Sequence, residues 1–171
     1  MGLIISIDPG ITGAVAVLSD LTRDLIKVVD TPTQKVKRNG KNKTVYDTNA
    51  MAALLRPYAK MSNVRGVCEA VHSMPAQGVS SSFNFGMGYG LWLGIMAGLD
   101  ISYTTVTPQA WKKHFDLIGQ EKKASAEKAA KVFPGKDWYT PRGRALDGMA
   151  DAALIAKYWV DYEDRHVHRA P

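Results

Sequence analysis

The chain has 171 residues, of which 46% are hydrophobic and 22% charged, and this composition excludes an intrinsically disordered protein. The length suits one domain with a sizeable core, so we expect residues 1–171 to form a single domain. The net charge of +6 and the pI of about 9.4 favour a polyanionic partner. Cys68 is the single cysteine, which excludes an internal disulfide and suits a reducing cytoplasm, and no secretory signal is visible.

One stretch is long and uncharged enough to need a membrane test. From Ala70 to Leu99 there is no Asp, Glu, Lys or Arg. The stretch opens with polar residues and proline, however, and its glycines would weaken an isolated helix. We therefore expect no membrane-spanning segment.

The first strand carries the first candidate functional residue. Leu3 to Ile7 is an apolar, β-branched run that ends in Asp8 before the turn-forming pair Pro9-Gly10. An acid at a strand end can bind a metal or face a phosphate, although Asp before Pro-Gly is also a common turn former. Strand-like runs at 13–18 and 25–29 follow so closely that the three strands should form an antiparallel meander.

A basic run, residues 34–44, comes next. Its five positive charges surround Asn39-Gly40. This pattern is typical of a solvated loop, and it also suits a mobile arm that touches phosphates. Both interpretations stay open at this point.

The middle of the chain predicts a helix and then a second acid at a strand end. Asp47-Thr48 can cap a helix that continues to Tyr58. Residues 63–68 then read as a strand that ends in Glu69. Because open α/β sheets bind ligands beyond their strand ends, Asp8 and Glu69 are candidates for one site.

A glycine-rich helix is expected from Ser80 to Leu99. Its glycines recur every fourth residue, at 86, 90, 94 and 98, and form one smooth stripe. We expect the stripe to pack in the core, with a dimer interface as the alternative. A strand at 101–106, a short helix after Thr107-Pro108 and a lysine-rich helix at 122–132 follow. The lysines of the last helix suit either a solvated face or a surface facing DNA.

The last helix, predicted from Arg144 to Tyr162, carries a pair of acids. Asp147 and Asp151 lie four residues apart, so both point from one helical face. That face continues into Leu154 and Tyr158, which places the acids at one end of a core-facing stripe. A solvated pair is the alternative. The order of elements predicts an α/β fold with a mixed five-stranded sheet flanked by helices.

Three motifs in this order resemble the RuvC-like Holliday junction resolvases of the RNase H-like superfamily, particularly the phage forms. The motifs are Ile7-Asp8-Pro9-Gly10 with Thr12-Gly13, then Cys68-Glu69 with His72-Ser73-Met74-Pro75, and finally Asp147-Gly148-Met149-Ala150-Asp151 with the apolar residues 152–156. Each motif alone is weak, but the ordered set is fairly specific and spans nearly the whole chain.

The resemblance implies an RNase H-like fold and an active site made of Asp8, Glu69, Asp147 and Asp151. In the family these carboxylates bind Mg²⁺ or Mn²⁺, with two ions per site, and hydrolyse a phosphodiester to leave 5′-phosphate and 3′-hydroxyl ends. The implied substrate is branched DNA, above all the four-way junction of recombination and repair. Family members act as homodimers that nick opposing strands. The expected compartment is the cytoplasm, that of a bacterial host if the chain is encoded by a phage.

The chain departs from many cellular members at two points. Their last two acids are three residues apart, whereas Asp147 and Asp151 are four apart. Some members also place an aromatic wedge three residues after the glutamate, where this chain has His72. Either spacing puts both acids on one helix face, so we expect metal binding to be retained. The spacing does not indicate which of the two acids binds which ion, and no residue is assigned to opening the junction.

The basic residues supply the candidates for DNA contact. These are Lys35, Lys37, Arg38, Lys41, Lys43, His72, Lys112, Lys113, Lys122, Lys123, Arg142 and Arg144.

Three other functions compete with a junction resolvase. The first is a nuclease of other branched DNA or of RNA, and the second is a nucleotide-binding protein of the actin-like kinase type, which would need two such domains. The third is a protein that binds junctions without cutting, against which the four acids argue because bare carboxylates repel DNA.

Overall fold

The computed structural model describes residues 2–71 and 78–167, with the side chain of residue 167 left out. The strands in these residues are β1 (Leu3–Asp8), β2 (Ala14–Ser19), β3 (Leu25–Asp30), β4 (Thr33–Arg38), β5 (Lys41–Tyr46), β6 (Val64–Glu69) and β7 (Tyr103–Val106). The helices are α1 (Thr48–Ala59), α2 (Val79–Gly98), α3 (Pro108–His114), α4 (Lys123–Val132) and α5 (Asp147–Val167).

The central sheet is mixed and five-stranded, in the order β3-β2-β1-β6-β7. β1, β2 and β3 form the expected antiparallel meander, since their connections are too short to cross over. The β1–β6 and β6–β7 pairs are parallel, and a helix lies in each connection. The predicted fold class, a mixed five-stranded sheet flanked by helices, is confirmed.

The two faces of the sheet bury different helices because side chains alternate along each strand. Ile4 and Ser6 of β1 face α5, and the Ser6 hydroxyl donates to the Ala152 carbonyl at 2.6 Å. Ile5 and Ile7 face the opposite core, which α1 and α2 cover. Asp8 continues the Ile4–Ser6 alternation and therefore lies on the α5 face.

Several predicted boundaries shift. The Asp47 side chain caps α1 as expected, by accepting from the Ala50 backbone N–H at 3.0 Å. β7 begins at Tyr103, two residues later than predicted. α5 begins at Asp147, not Arg144, because Ala145 pairs with Tyr139 in a β-bridge just before the helix.

The interpretation of residues 34–44 as a solvated loop was wrong. β4 and β5 form a two-stranded antiparallel hairpin, joined at Asn39-Gly40. Both turn residues have positive φ, 50° and 74°, as a type I′ hairpin turn requires. Val36 and Val45 are half-buried, which gives the basic ribbon an apolar side.

The expectation that the glycine stripe packs in the core was also wrong. Gly86, Gly90, Gly94 and Gly98 are exposed, and a methyl group on any of them would have no described atom within 4 Å. Trp92 and Met96, on the other side of α2, are buried instead. Within the described residues, no helix is both long and apolar enough to cross a membrane.

Candidate active site

Two acids meet at the carboxyl edge of the parallel strands. Ile7 pairs with Cys68 across β1 and β6, so Asp8 and Glu69 are the next residues on adjacent strands and share a face. The Gly10 backbone N–H donates to Asp8 Oδ1 at 3.4 Å. The turn between β1 and β2 therefore holds the Asp8 side chain at the carboxyl end of β1.

The first turn of α5 brings two more acids to the same edge. Gly148 lies against the Thr12 backbone, and a methyl group at Gly148 would overlap the Thr12 carbonyl oxygen. This close approach lets Asp147 and Asp151 line the same cavity as Asp8. The structure thus places Asp8, Asp147 and Asp151 on one cavity, and Glu69 at the end of the strand next to Asp8.

Burial and mutual repulsion raise the pKa values of the carboxyl groups at this site. Burial, and then the charges of Glu69 and Asp151, raise the pKa of Asp8 to about 7. Burial likewise raises the pKa of Asp151 to about 6, with Glu69 and Asp147 adding to the shift and Ser125 opposing it through a hydrogen bond. Burial raises the pKa of Glu69 as well. The carboxylates are costly to ionise together unless a cation neutralises them.

α3 supplies two groups that oppose this repulsion. The Trp111 indole N–H donates to Glu69 Oε1 at 2.8 Å, from a fully buried ring. Lys112 places its ammonium 5.3 Å from the Trp111 ring centroid and lowers the pKa of Asp8, Glu69 and Asp151. Neither Trp111 nor Gly148 was predicted from the sequence to be a site residue. The one local signal was their position in the chain, because Trp111 precedes Lys112 and Gly148 follows Asp147.

The basic candidates fall into separate groups. Lys112, Lys122 and Arg144 line the acidic cavity, which has a volume of about 420 Å³. Lys35, Lys37, Arg38, Lys41 and Lys43 lie on the β4–β5 hairpin.

The other candidates are less informative. Lys113 and Arg142 are exposed, and Lys123 lies 3.6 Å from the Glu121 carboxylate in an exposed ion pair. His72, the residue at the wedge position, lies outside the described residues.

The donor set fits a divalent cation of the Mg²⁺ type. Asp147 Oδ1 and Asp151 Oδ1 are buried and have no hydrogen-bond partner among the described residues. Within residues 2–71 and 78–167, no three Asp, Glu, His or Cys side chains converge closely enough to hold one ion by themselves. This agrees with the chemistry of Mg²⁺, which commonly takes one or two carboxylates and completes its shell with water and substrate phosphate.

Comparison with solved structures defines the class of fold. The chain matches "T. thermophilus RuvC in complex with Holliday junction substrate" with a TM-score of 0.66 and 17% identity, over 97% of each chain. It also matches "Thermus thermophilus RuvC structure" with a TM-score of 0.56 and 13% identity, over 94% of this chain and 96% of the other. The chain therefore has the RNase H-like fold seen in RuvC.

One curated protein also resembles the chain in amino-acid sequence. The chain is 30% identical over 112 residues to the chloroplastic Holliday junction resolvase MOC1 of Chlamydomonas reinhardtii. The match covers 64% of this chain and spans 13% of the length of that relative. No protein-family model matches the chain.

Proposed function

We propose that this chain is a metal-dependent endonuclease that resolves four-way DNA junctions, with residues 1–171 acting as a single domain. The observation that carries the proposal is a set of half-buried acids at one sheet edge: Asp8, Asp147 and Asp151 line one cavity, and Glu69 ends the strand next to Asp8. Asp147 and Asp151 each have a buried oxygen with no partner among the described residues. The RuvC-like fold and the resolvase relative support it.

The four carboxylates would hold the metal, Mg²⁺ or Mn²⁺, with two ions per site. When bound there, the ions would lower the pKa of an attacking water and stabilise charge on the departing 3′ oxygen, leaving a 5′-phosphate. Trp111 keeps the Glu69 carboxylate oriented through its hydrogen bond. Lys112, Lys122 and Arg144 line the cavity, where they can contact the phosphates on either side of the cleaved bond.

The test is cleavage of an end-labelled mobile four-way junction with Mg²⁺ or Mn²⁺. We expect paired, symmetric nicks from the native protein, and none from Asp8→Asn or Asp151→Asn, both of which should still bind the junction. Asp24→Asn is the matched control, because Asp24 is an exposed acid in the β2–β3 turn at the opposite edge of the sheet. Equal cleavage by Asp8→Asn and Asp24→Asn would refute the assignment of the site.

A nuclease of other branched substrates is the main alternative. Matched forks, flaps, RNA–DNA hybrids and junctions should be compared at the same protein concentration. Cutting of forks or flaps but not junctions would favour this alternative. Binding of junctions without cutting under either metal would contradict the carboxylate argument itself.

We also propose that the chain acts as a homodimer through the exposed glycine stripe of α2. No residue of α2 is charged, yet Gly90 and Gly94 face open space, where small residues allow a second helix to approach closely. A two-fold dimer matches a two-fold junction and would place one active site on each of two opposing strands.

Bulky substitutions in this stripe test the dimer. Gly90→Leu and Gly94→Leu add side chains where no described atom lies within 4 Å, so the monomer fold should be retained. Sedimentation should then show monomers, and nicks on the two strands should become unpaired. A native protein that sediments as a monomer at cleavage-competent concentrations would refute the proposal.

The cysteine content of the chain bears on the compartment in which the protein acts. The proposed compartment is a reducing cytoplasm, because Cys68 is the sole cysteine of the sequence and is buried as a free thiol. If a phage encodes the chain, this is the cytoplasm of its bacterial host.

A further inference from the structure

A groove separate from the acidic cavity runs between the β4–β5 hairpin and the first half of α2. Its volume is about 610 Å³. Val36 and Val45 form part of its apolar floor, and Phe83 and Met87 of α2 form its opposite side. Lys37, Arg38 and Lys43 line the hairpin side, and no acidic residue is among the described residues that line the groove.

The groove begins where the active site ends. Ile11 lines the groove, while its neighbour Thr12 lines the acidic cavity, so the β1–β2 turn separates the two. The Tyr46 hydroxyl, at the base of the hairpin, lies 3.4 Å from the Pro9 carbonyl oxygen and 3.2 Å from the Asn84 carbonyl oxygen, and its one proton can be donated to either. These contacts tie the hairpin and α2 to the catalytic turn, so the groove has a defined position relative to Asp8.

The wall formed by α2 exposes apolar surface that nothing in the described chain covers. Phe83 is 69% exposed and Val79 is 87% exposed, in the first two turns of the helix. An exposed aromatic ring beside lysine and arginine side chains is the arrangement that single-stranded nucleic-acid sites use. The ring stacks on a base, and the cations bind the neighbouring phosphates.

The charge of the hairpin argues against a second copy of the chain as the occupant. Residues 33–46 contain five positive charges and no acid. A two-fold contact through this groove would bring two such ribbons together, and like charges at that distance repel. The exposed glycines that suit a dimer lie further along α2, from residue 86 to residue 98.

We propose that this groove binds the DNA strand that continues from the active site, with its phosphates on Lys37, Arg38 and Lys43 and an unpaired base stacked on Phe83. The inference rests on the proposed function and adds to it a site for unpaired bases next to the point of cleavage. It gives the chain an aromatic contact to the opened junction on α2.

Phe83→Ala is the primary test, with Phe83→Trp as the conservative partner. Leu21→Ala is the control, since Leu21 is 72% exposed at the opposite edge of the sheet. Binding is measured without metal to a four-way junction that carries 2-aminopurine at the branch point, and to an unbranched duplex of equal length. Junction affinity should fall at least about 5-fold in Phe83→Ala, with loss of the 2-aminopurine signal, and should be retained in Phe83→Trp. Duplex affinity should stay unchanged.

A second variant tests the basic side of the groove. The double change Lys37→Gln with Arg38→Gln should weaken binding to the junction and lower the slope of log affinity against log salt by about 2. An unchanged slope would remove the phosphate contacts from the proposal.

The outcomes separate the groove from the proposed function. If the native protein cuts junctions and Phe83→Ala binds them as Leu21→Ala does, the groove assignment is refuted and the function stands. If Phe83→Ala turns a dimer into a monomer in the absence of DNA, the groove is an interface between copies, and the proposal is overturned. A native protein that neither binds nor cuts branched DNA would overturn both.

Discussion

Removing the carboxylate of Asp8 should stabilise the metal-free protein at high pH. The pKa of Asp8 is raised to about 7 by burial and by the charges of Glu69 and Asp151, so the native state takes up a proton at a pH where the unfolded chain has lost it. Stability should therefore fall as pH rises from about 4 to about 7. Asp8→Asn removes this ionisation and keeps an oxygen that can accept from the Gly10 N–H.

The magnitude follows from the two pKa values. A native pKa of about 7 against an unfolded value of 3.8 costs about 4 kcal/mol at pH 8, about 2 kcal/mol at pH 5 and less than about 1 kcal/mol at pH 4. Part of this cost stays in Asp8→Asn, because a buried amide also needs hydrogen-bond partners. We expect Asp8→Asn to be about 2–4 kcal/mol more stable than the native protein at pH 8, and this advantage to shrink by about 2–3 kcal/mol at pH 5.

The assay is urea unfolding in EDTA at pH 4, 5 and 8, with Asp24→Asn as the control. Mg²⁺ should then stabilise the native protein at pH 8 more than it stabilises Asp8→Asn, because the variant lacks one of the proposed ligands. An advantage of Asp8→Asn that is the same at pH 5 and pH 8, or absent at both, would refute the electrostatic account of the site.

The remaining predictions concern the groups around the acids. Trp111→Phe keeps a buried ring but removes the donor to Glu69; kcat should fall about 10-fold or more with KM unchanged, and the acid limb of the pH–rate profile should move to higher pH. Gly148→Ala should push α5 away from Thr12, which costs about 1–3 kcal/mol in urea unfolding and lowers cleavage. Lys112→Met removes the ammonium that lowers the acidic pKa values, so the metal-free protein should lose about 1 kcal/mol at pH 8 and nothing at pH 4.

Each of these has an outcome that would contradict it. A KM effect alone in Trp111→Phe would show that the ring supports DNA binding and does not orient Glu69. Gly98→Ala adds the same methyl group in open space and should not destabilise the monomer, so equal losses in Gly98→Ala and Gly148→Ala would remove the packing argument. A loss in Lys112→Met that is equal at pH 4 and pH 8 would point to packing of the side chain on Trp111.

The sequence by itself determined the features that depend on local order along the chain. A short apolar, β-branched run before Pro9-Gly10 located β1 and its terminal acid, Asp8, and helical spacing put Asp147 and Asp151 on one face. The acids could be grouped because parallel strands end at a common edge. The β4–β5 hairpin could also have been predicted locally, because Asn-Gly is a strong signal for a type I′ turn. The high density of charged residues around Asn39-Gly40 favoured a loop instead.

Only the tertiary structure decided which surfaces meet. The glycines of α2 repeat with the same period whether they face the core or the solvent, and the packing of Trp92 and Met96 turned them outward. The hydrogen bond from Trp111 to Glu69 joins residues 42 positions apart, and no spacing rule predicts it. The groove likewise needs the hairpin and α2 to lie side by side. Periodicity describes one element at a time, whereas these features depend on the relative placement of two, which long-range packing sets.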